Sequence, residues 1–548
     1  VISLATQLGP ALPEETPTVC TMLVPPKSLL HLGAGLLTAR TARRLRQRAT
    51  DVPAQDAARR WLLAALSSTV MGREHGLNAS QSYDDFQRRV PLRSYEQFSP
   101  YIERMKKGET DVLWPGPCRL YAVTSGTTDG QPKHLPVTPA MLEHFRKAGL
   151  DSLLYYTART GHSRIFRGRH LLLGGSSALT ALDTSKDTPA YAGDLSGIAT
   201  LNLPRWAEAH LYEPGAGIAQ MSDSPGKMQA IAARTRSLDI RVAAGIPNWL
   251  LLFAEELCTQ GLRERAPHVQ AVWPEFECVV HGGVPLGPFA DELRHLMGPR
   301  VRFHEVYPAS EGFIAAQDTD TGAGLRLMTD AGIFYEFLPM DRFDEKRLES
   351  LGPIAVPLED VRVGVDYALL LTTPAGLTRY LIGDVVRFTS KDPARLLYVG
   401  RTRLHLNAFG ERVVEKELTD SLLDVCRRHG WSITNFHVAP LFANSVTGQN
   451  RGRHEWWVEL KPFTTETPTG PNMAIDLDGE LQRLNRAYAE KRKGGGMEAP
   501  FVRLVMPGVF AQWMLENGKW GGQSKMPRCR GDRLVADTLA KIARFSAD

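Results

Sequence analysis

Cysteine is scarce in this chain, and what there is stands apart. The 548 residues hold six, Cys20, Cys118, Cys258, Cys278, Cys426 and Cys529, with no CxxC pair among them. That spacing excludes a zinc ribbon or a secreted disulfide framework and fits a reducing cytoplasm. Long apolar runs are also missing: none approaches the roughly eighteen residues that a membrane span requires. The nearest, Leu29 to Leu37, runs into the basic stretch Arg40 to Arg48. A signal peptide has the opposite order, so this segment reads as an amphipathic surface helix. Charge of one sign is lacking too. A formal excess of +5 is small on a chain of this length and gives no case for a nucleic-acid partner. The chain opens on Val1, and the residues before Met22 carry no part of the functional reading.

The length predicts two to four domains and a core large enough to need neither disulfides nor a structural metal. The first hundred or so residues read as helical, with Ala57 to Leu66 at helical spacing. From Arg119 short apolar runs alternate with amphipathic segments: Leu120 to Val123, His170 to Leu173, Val279 to Val280, Tyr367 to Leu371. Gly or Pro punctuates most of them, and the alternation predicts an α/β architecture around a largely buried sheet. A second change falls near Gly400 to Gly410. Beyond it Leu418 to Arg427 reads as a helix, Glu455 to Leu460 as a strand, and Asp478 to Arg492 as a helix ended by Gly494 to Gly496. Thr464 to Asn472 reads as a surface loop, and no internal repeat is visible. The tail is expected to be a separate small α+β domain.

Three segments carry chemistry. In Leu120-Tyr-Ala-Val-Thr-Ser-Gly-Thr-Thr-Asp-Gly-Gln-Pro-Lys133 an apolar strand leads into hydroxyls, glycines and a lysine. Glycines let backbone N–H groups close round an anion. Thr124, Ser125, Thr127 and Thr128 add donors beside Gly126, and Lys133 offers a point charge to a phosphate. It is not a Walker A loop, because Gln131 stands where that motif needs glycine. The plainer reading is a solvated Ser/Thr turn. In Val306-Tyr-Pro-Ala-Ser-Glu-Gly312, Glu311 follows the strand-like Val301 to Val306, and a carboxylate near a triphosphate suits Mg²⁺. A buried helix-capping carboxylate or an ordinary loop is the alternative. In Arg379-Tyr-Leu-Ile-Gly-Asp-Val-Val386, Asp384 stands at what reads as the end of a strand. There an acidic group can accept from ribose hydroxyls, or simply make a Gly-Asp turn. His304-Glu305 and His454-Glu455 open like zincins, but Pro308 and Val458 stand where the second histidine belongs. Trp456 and Trp457 read as core.

In this order and spacing the segments resemble the ATP-binding motifs of acyl-adenylate-forming enzymes, and more closely the GH3 family of acyl-acid amido synthetases, the overall pattern being nearer to its bacterial members. The resemblance runs from about Pro91 to near Arg533. It rests on Thr124-Ser-Gly-Thr-Thr-Asp-Gly, Tyr307-Pro-Ala-Ser-Glu-Gly-Phe313 and Tyr380-Leu-Ile-Gly-Asp-Val-Val386, with Gly332-Ile-Phe-Tyr-Glu-Phe-Leu-Pro339 and Gly522-Gln-Ser-Lys-Met-Pro-Arg528 in support. It implies an N-terminal domain over residues 1–402 that binds ATP and the acid. A mobile α+β domain over 403–548 would pivot about Gly400 to Leu406. Ser125, Gly126, Thr127 and Thr128 would wrap the phosphates, with Tyr307 and Ser310 beside them. Glu311 would contact Mg²⁺, and Asp384 would hold the ribose with Arg401 nearby. His281, Gly282 and Gly283 would line the adenine pocket, and Lys525 would meet the reacting phosphate. The sequence departs from the family at two places: Leu381 replaces the usual arginine, and Asn407-Ala-Phe-Gly-Glu411 lacks a lysine after the hinge.

The expected reaction joins two anions, a carboxylate and the α-phosphate. Two unit charges 4 Å apart repel by about 4 kcal/mol at an effective dielectric near 20, so cationic screening is required. An amino acid's amine would then take the acyl group and release AMP, in a cytoplasmic monomer with no membrane partner. Thioester formation with coenzyme A shares the first half-reaction. A regulatory relative that binds nucleotide or acid without catalysis is the third reading. Apolar residues from Leu171 to Leu203 and Ile246 to Phe253 are the expected acid pocket, or equally plain core.

Overall fold

A computed structural model describes residues 26–47, 49–124, 132–182, 189–221, 224–260, 266–283, 286–319, 322–402, 405–406, 408–409, 411, 413–442, 452–461, 468–517 and 526–543. The amino-terminal part is helical as expected, with long helices at Lys27–Leu45 and Asp51–Leu66. Leu29, Leu32, Leu36 and Leu37 point to solvent, while Leu62, Leu63 and Leu66 enter the core. Asp51 and Gln55 tie the second helix to the sheet. Gln55 donates to the Thr329 and Ile333 carbonyls and accepts from the Tyr335 N–H.

A 12-stranded sheet organises the molecule. Along one half, strands Tyr212–Glu213, Arg169–Leu172, Ile240–Gly245, Cys278–Gly282 and Arg302–Ala309 run parallel. From Arg302–Ala309 the pairing becomes antiparallel through Gly312–Ala316, Leu325–Leu327, Ala394–Arg401, Tyr380–Lys391, Asp366–Thr372, Phe334–Pro339 and Val356–Pro357. The apolar runs bury as buried strands should: Tyr367 to Leu371 and Phe334 to Leu338 are almost wholly inside. A second sheet pairs Leu120–Thr124 with Lys133–Pro136 on one side and Tyr191–Gly193 on the other. No described helix is long and apolar enough to cross a membrane.

After Arg401 the chain starts a new core. Leu406, Val413, Leu418 and Leu422 join Phe436, Trp456 and Leu477 in a cluster, and among the described residues no buried cluster mixes these with residues before Val399. Its frame is a sheet of Ile433–Leu441, Arg453–Leu460 and Phe501–Val505 covered by helices Glu415–His429 and Gly470–Leu484. Trp456 and Trp457 are core, as their strand setting predicts.

Three local expectations need correction. The helix expected over Asp478 to Arg492 is two, Gly470–Leu484 and Arg486–Lys493. Asn485 leaves helical geometry between them and caps the second by accepting from the Tyr488 N–H. The loop expected to reach Asn472 ends sooner, because Thr469 caps a helix that has Pro471 in its first turn. Asp384 stands inside the long strand Tyr380–Lys391 rather than at its end.

Candidate active site

The sheet changes from parallel to antiparallel pairing at Arg302–Ala309, and several of the predicted residues that the structure describes gather there. In open α/β sheets ligands bind outside the carboxyl ends of the parallel strands. His281, Gly282 and Gly283 form that end of Cys278–Gly282, and Tyr307 lies at the same end of its neighbour. Gly282 lets the backbones meet: a Cβ there would stand 2.2 Å from the Val306 carbonyl oxygen. His281 is buried and pushed down to about 4 by desolvation, with Arg294 adding to the effect, so it is neutral at pH 7. Its Nδ1 has no hydrogen-bond partner among the described residues.

Ser310 and Glu311 make the turn between Arg302–Ala309 and Gly312–Ala316. Burial raises the Glu311 carboxyl above its ordinary range, and the Asp384 carboxylate raises it further; Arg401 and Lys133 pull the other way. Tyr380 donates to Glu311 Oε1 at 3.4 Å. Asp384 reaches this group because the chain twists just before it: Gly383 has φ +89°, in the left-handed region that favours glycine. Asp384 Oδ2 accepts from the Tyr307 hydroxyl at 2.6 Å, and Oδ1 faces Arg401 Nε at 3.1 Å. Oδ1 nevertheless lacks an aligned hydrogen-bond donor among the described residues. Asp384 holds the Arg401 guanidinium more firmly charged than usual.

Thr124 and Lys133 face each other across the mouth of the hairpin Leu120–Thr124/Lys133–Pro136. The Lys133 ammonium lies 5.1 Å from the centre of the Tyr95 ring, and Tyr95 is pinned to the hairpin by accepting from the His134 N–H. Ser125, Gly126, Thr127 and Thr128 lie outside the described residues, as does Lys525. The residues after Lys525 are anchored. The Pro527 carbonyl accepts from His437 Nδ1 at 2.8 Å, and the Arg528 carbonyl accepts from the Val438 N–H.

The donor set suits a magnesium nucleotide. Two carboxylates near enough for one to raise the other are relieved by a cation. Among the described residues no three acidic, histidine or cysteine groups could hold a metal by themselves. Mg²⁺ with one or two protein carboxylates and several phosphate oxygens has this pattern. Asp384 Oδ1 and His281 Nδ1 are buried polar atoms without a hydrogen-bond partner among the described residues, which a bound nucleotide could satisfy.

Sequence reasoning passed over Tyr380 and Tyr398. The first donates to Glu311, and the second packs its ring 5.6 Å from that of Tyr307. Tyr380 is buried and Tyr398 half-buried against the same core, so no signal in the sequence marked them. Leu381 explains itself: it faces the opposite side of the strand, packed with Leu92, Leu338, Leu348 and Leu370. An arginine still reaches that side from Arg379, which donates to the Gly352 carbonyl there.

Comparison with known proteins bears on the family and the fold. Residues 49–301 match the model of the GH3 family N-terminal domain, 326–401 that of the central domain, and 416–533 that of the C-terminal domain. The chain is similar to the indole-3-acetic acid-amido synthetase GH3.8 of Oryza sativa subsp. indica, 24% identical over 83% of this chain and 84% of the relative. Among solved structures it is similar to the AtGH3.15 acyl acid amido synthetase in complex with 2,4-DB, with TM-score 0.71, 18% identity, and 93% and 97% of the two chains covered. A 2-hydroxyisobutyryl-CoA ligase in the postadenylation state shares the fold at TM-score 0.54 and 14% identity, over 94% of this chain and 93% of that one.

Proposed function

This chain belongs to the GH3 family, and from that premise we propose how its residues make an amide from a carboxylic acid. The enzyme is a ligase. It joins the acid's carboxylate to the α-phosphorus of ATP with loss of pyrophosphate, then transfers the acyl group to the amine of an amino acid with loss of AMP and a proton. The relatives it resembles are named as amido synthetases, and this reading carries their reaction type to the chain.

The observation that carries the site is the placing of Glu311 against Asp384, with Arg401 and Lys133 in electrostatic reach. When bound, Mg²⁺ supplies charge that screens the triphosphate from the incoming carboxylate. Glu311 is the carboxylate that would hold it. Asp384 accepts from the ribose hydroxyls, fixed by the Tyr307 hydroxyl on one side and Arg401 on the other. Thr124, Ser125, Gly126, Thr127, Thr128 and Lys133 take the phosphates, helped by Ser310. The His281-Gly282-Gly283 edge takes the adenine, which can satisfy His281 Nδ1. His281 is a poor choice for the base that frees the amine, because burial opposes its protonated form.

Residues 403–548 form the domain that pivots after adenylation and brings Lys525 to the reacting phosphate. Supporting the boundary, the two sides bury separate cores. The protein works as a cytoplasmic monomer. The test is pyrophosphate release with ATP, Mg²⁺ and a panel of aryl, indolyl and aliphatic acids, run with amino acids or with coenzyme A. Release driven by amino acids, with an amide identified by mass, is expected. AMP release driven by coenzyme A alone would overturn the amide step, and no release by any acid would overturn the enzyme reading.

A further inference from the structure

Helix Pro139–Thr160 packs on the strand Gly312–Ala316 that follows the Ser310–Glu311 turn. One histidine makes the connection polar. His144 is buried at 3% exposure, and both ring nitrogens are used. Nδ1 lies 2.7 Å from the Ala331 carbonyl oxygen, and Nε2 accepts from the Phe313 N–H at 2.8 Å. A carbonyl can only accept and a backbone N–H can only donate. The proton is therefore on Nδ1 and the lone pair on Nε2, so one tautomer of the neutral ring fits. Burial supports this by pushing the imidazole down to about 4.

What the ring holds is specific. Phe313 is the second residue after Glu311, and the ladder between the two strands shifts register between Phe313 and Ala315. At that irregularity the Phe313 N–H meets a side chain. Gly312 is packed close as well: a Cβ there would stand 2.3 Å from Ile333 Cδ1 and 3.5 Å from His144 Nε2. An apolar residue at position 144 would leave the Phe313 N–H and the Ala331 carbonyl buried without partners.

We propose that His144 is a positioning residue for the proposed adenylation, fixing the Ser310–Glu311 turn through the Phe313 N–H while its Nδ1–H anchors the turn to Ala331. The inference rests on the reading of Glu311 as the metal-holding carboxylate. It touches neither nucleotide nor metal, and its effect is on where Glu311 stands.

Two near-isosteres separate the ring's two bonds. His144→Gln puts an acceptor near the Nε2 position, and His144→Asn puts a donor near the Nδ1 position. In the full chain, His144→Gln is expected to keep kcat for acid-dependent pyrophosphate release within about threefold of wild type. His144→Asn and His144→Ala are expected to lower kcat at least tenfold, with KM for the acid within twofold. Amide hydrogen exchange of the peptide containing Phe313 is the second readout: slow in wild type and His144→Gln, at least tenfold faster in His144→Asn. If Gln and Asn lose activity and exchange protection equally, in step with melting temperature, His144 is only a core residue and the proposal fails. Full activity in His144→Asn overturns it too. A wild type without adenylation removes the reading of Glu311. The exchange data then decide whether His144 holds the turn: equal protection in wild type and His144→Asn refutes it.

Discussion

Two ion pairs flank one short stretch of chain, and they are built to different ends. Arg379, just before strand Tyr380–Lys391, faces Glu336; both are sealed from solvent, at 0% and 1% exposure. Its Nε donates to both Glu336 oxygens at 3.0 Å, and its other nitrogens donate to the carbonyls of Gln87, Val90 and Gly352. Glu336 also accepts from the Tyr83 hydroxyl. Asp384, a little further on, faces an Arg401 that is 45% exposed, and one of its oxygens has no aligned donor among the described residues. A charge pair with every valence filled can only hold structure. One with a lone pair left over beside an exposed arginine can still bind something. The difference teaches that burial alone does not mark a candidate functional acid; incomplete satisfaction beside an exposed partner does.

The contrast is broken most severely at Arg379. Replacing it with alanine strands the Glu336 carboxylate in the core, and losing one partner of such a pair costs about 3–5 kcal/mol. Arg379 also holds φ +51°, a left-handed geometry that its network maintains. Urea unfolding of Arg379→Ala should show that loss, or no soluble protein at all. A variant with wild-type unfolding would mean that the pair is not structural.

A smaller effect, opposite in kind, is expected at Glu311. Glu311→Gln should cut acid-dependent pyrophosphate release at least about 10²-fold, equivalent to about 2.7 kcal/mol at the transition state. It should also stabilise the fold. A carboxyl whose folded-state pKa is raised contributes stability that is present below its unfolded value and is lost as pH rises through the folded one. At neutral pH the position of Glu311 beside Asp384 therefore works against the fold, and glutamine lifts that burden. The melting temperature of Glu311→Gln should exceed that of wild type at pH 7, and the gap should close as pH falls through the ordinary carboxylate range. A gap that widens on acidification would contradict the sign of the shift.

How much of this was legible in the sequence follows from how each feature is encoded. The alternation of short apolar runs with helical segments exposed the α/β sheet, and Leu120, Leu171, Val279 and Leu369 all became strand core. Glu311 was visible because it sits among small residues after an apolar strand, and Asp384 because it follows a glycine in an apolar one; the sheet brings them together from distant segments. What stayed hidden depends on packing between such segments. Tyr380, Tyr398 and His144 carry nothing local to distinguish them from other rings packed on the core. The break at Asn485 was hidden because apolar periodicity continues through it, and only the capping geometry shows two helices. Asp384 looked terminal because Gly383 before it reads as a turn. The glycine is instead a twist that the strand absorbs, since the Gly383 carbonyl still accepts from the Thr402 N–H.

The smallest expected effect is the one that sharpens the comparison most. Asp384→Asn removes a buried charge, as Arg379→Ala does, yet the fold should hardly register it. The asparagine carbonyl can still accept from the Tyr307 hydroxyl, and Arg401 is exposed enough for water to replace the lost partner. Loss of the charge also relieves Glu311, which offsets part of the cost. Unfolding free energy should therefore stay within about 1 kcal/mol of wild type. The nucleotide should register it, because a neutral amide accepts more weakly than a carboxylate and turns a donor towards the ribose. An increase of about tenfold in KM for ATP, about 1.4 kcal/mol, is expected with kcat changed only a few-fold. Both numbers come from one preparation, by urea titration and by initial rates against ATP concentration. An unfolding loss approaching that of Arg379→Ala, with KM unchanged, would place Asp384 in the same class as Glu336 and remove the distinction between the two pairs.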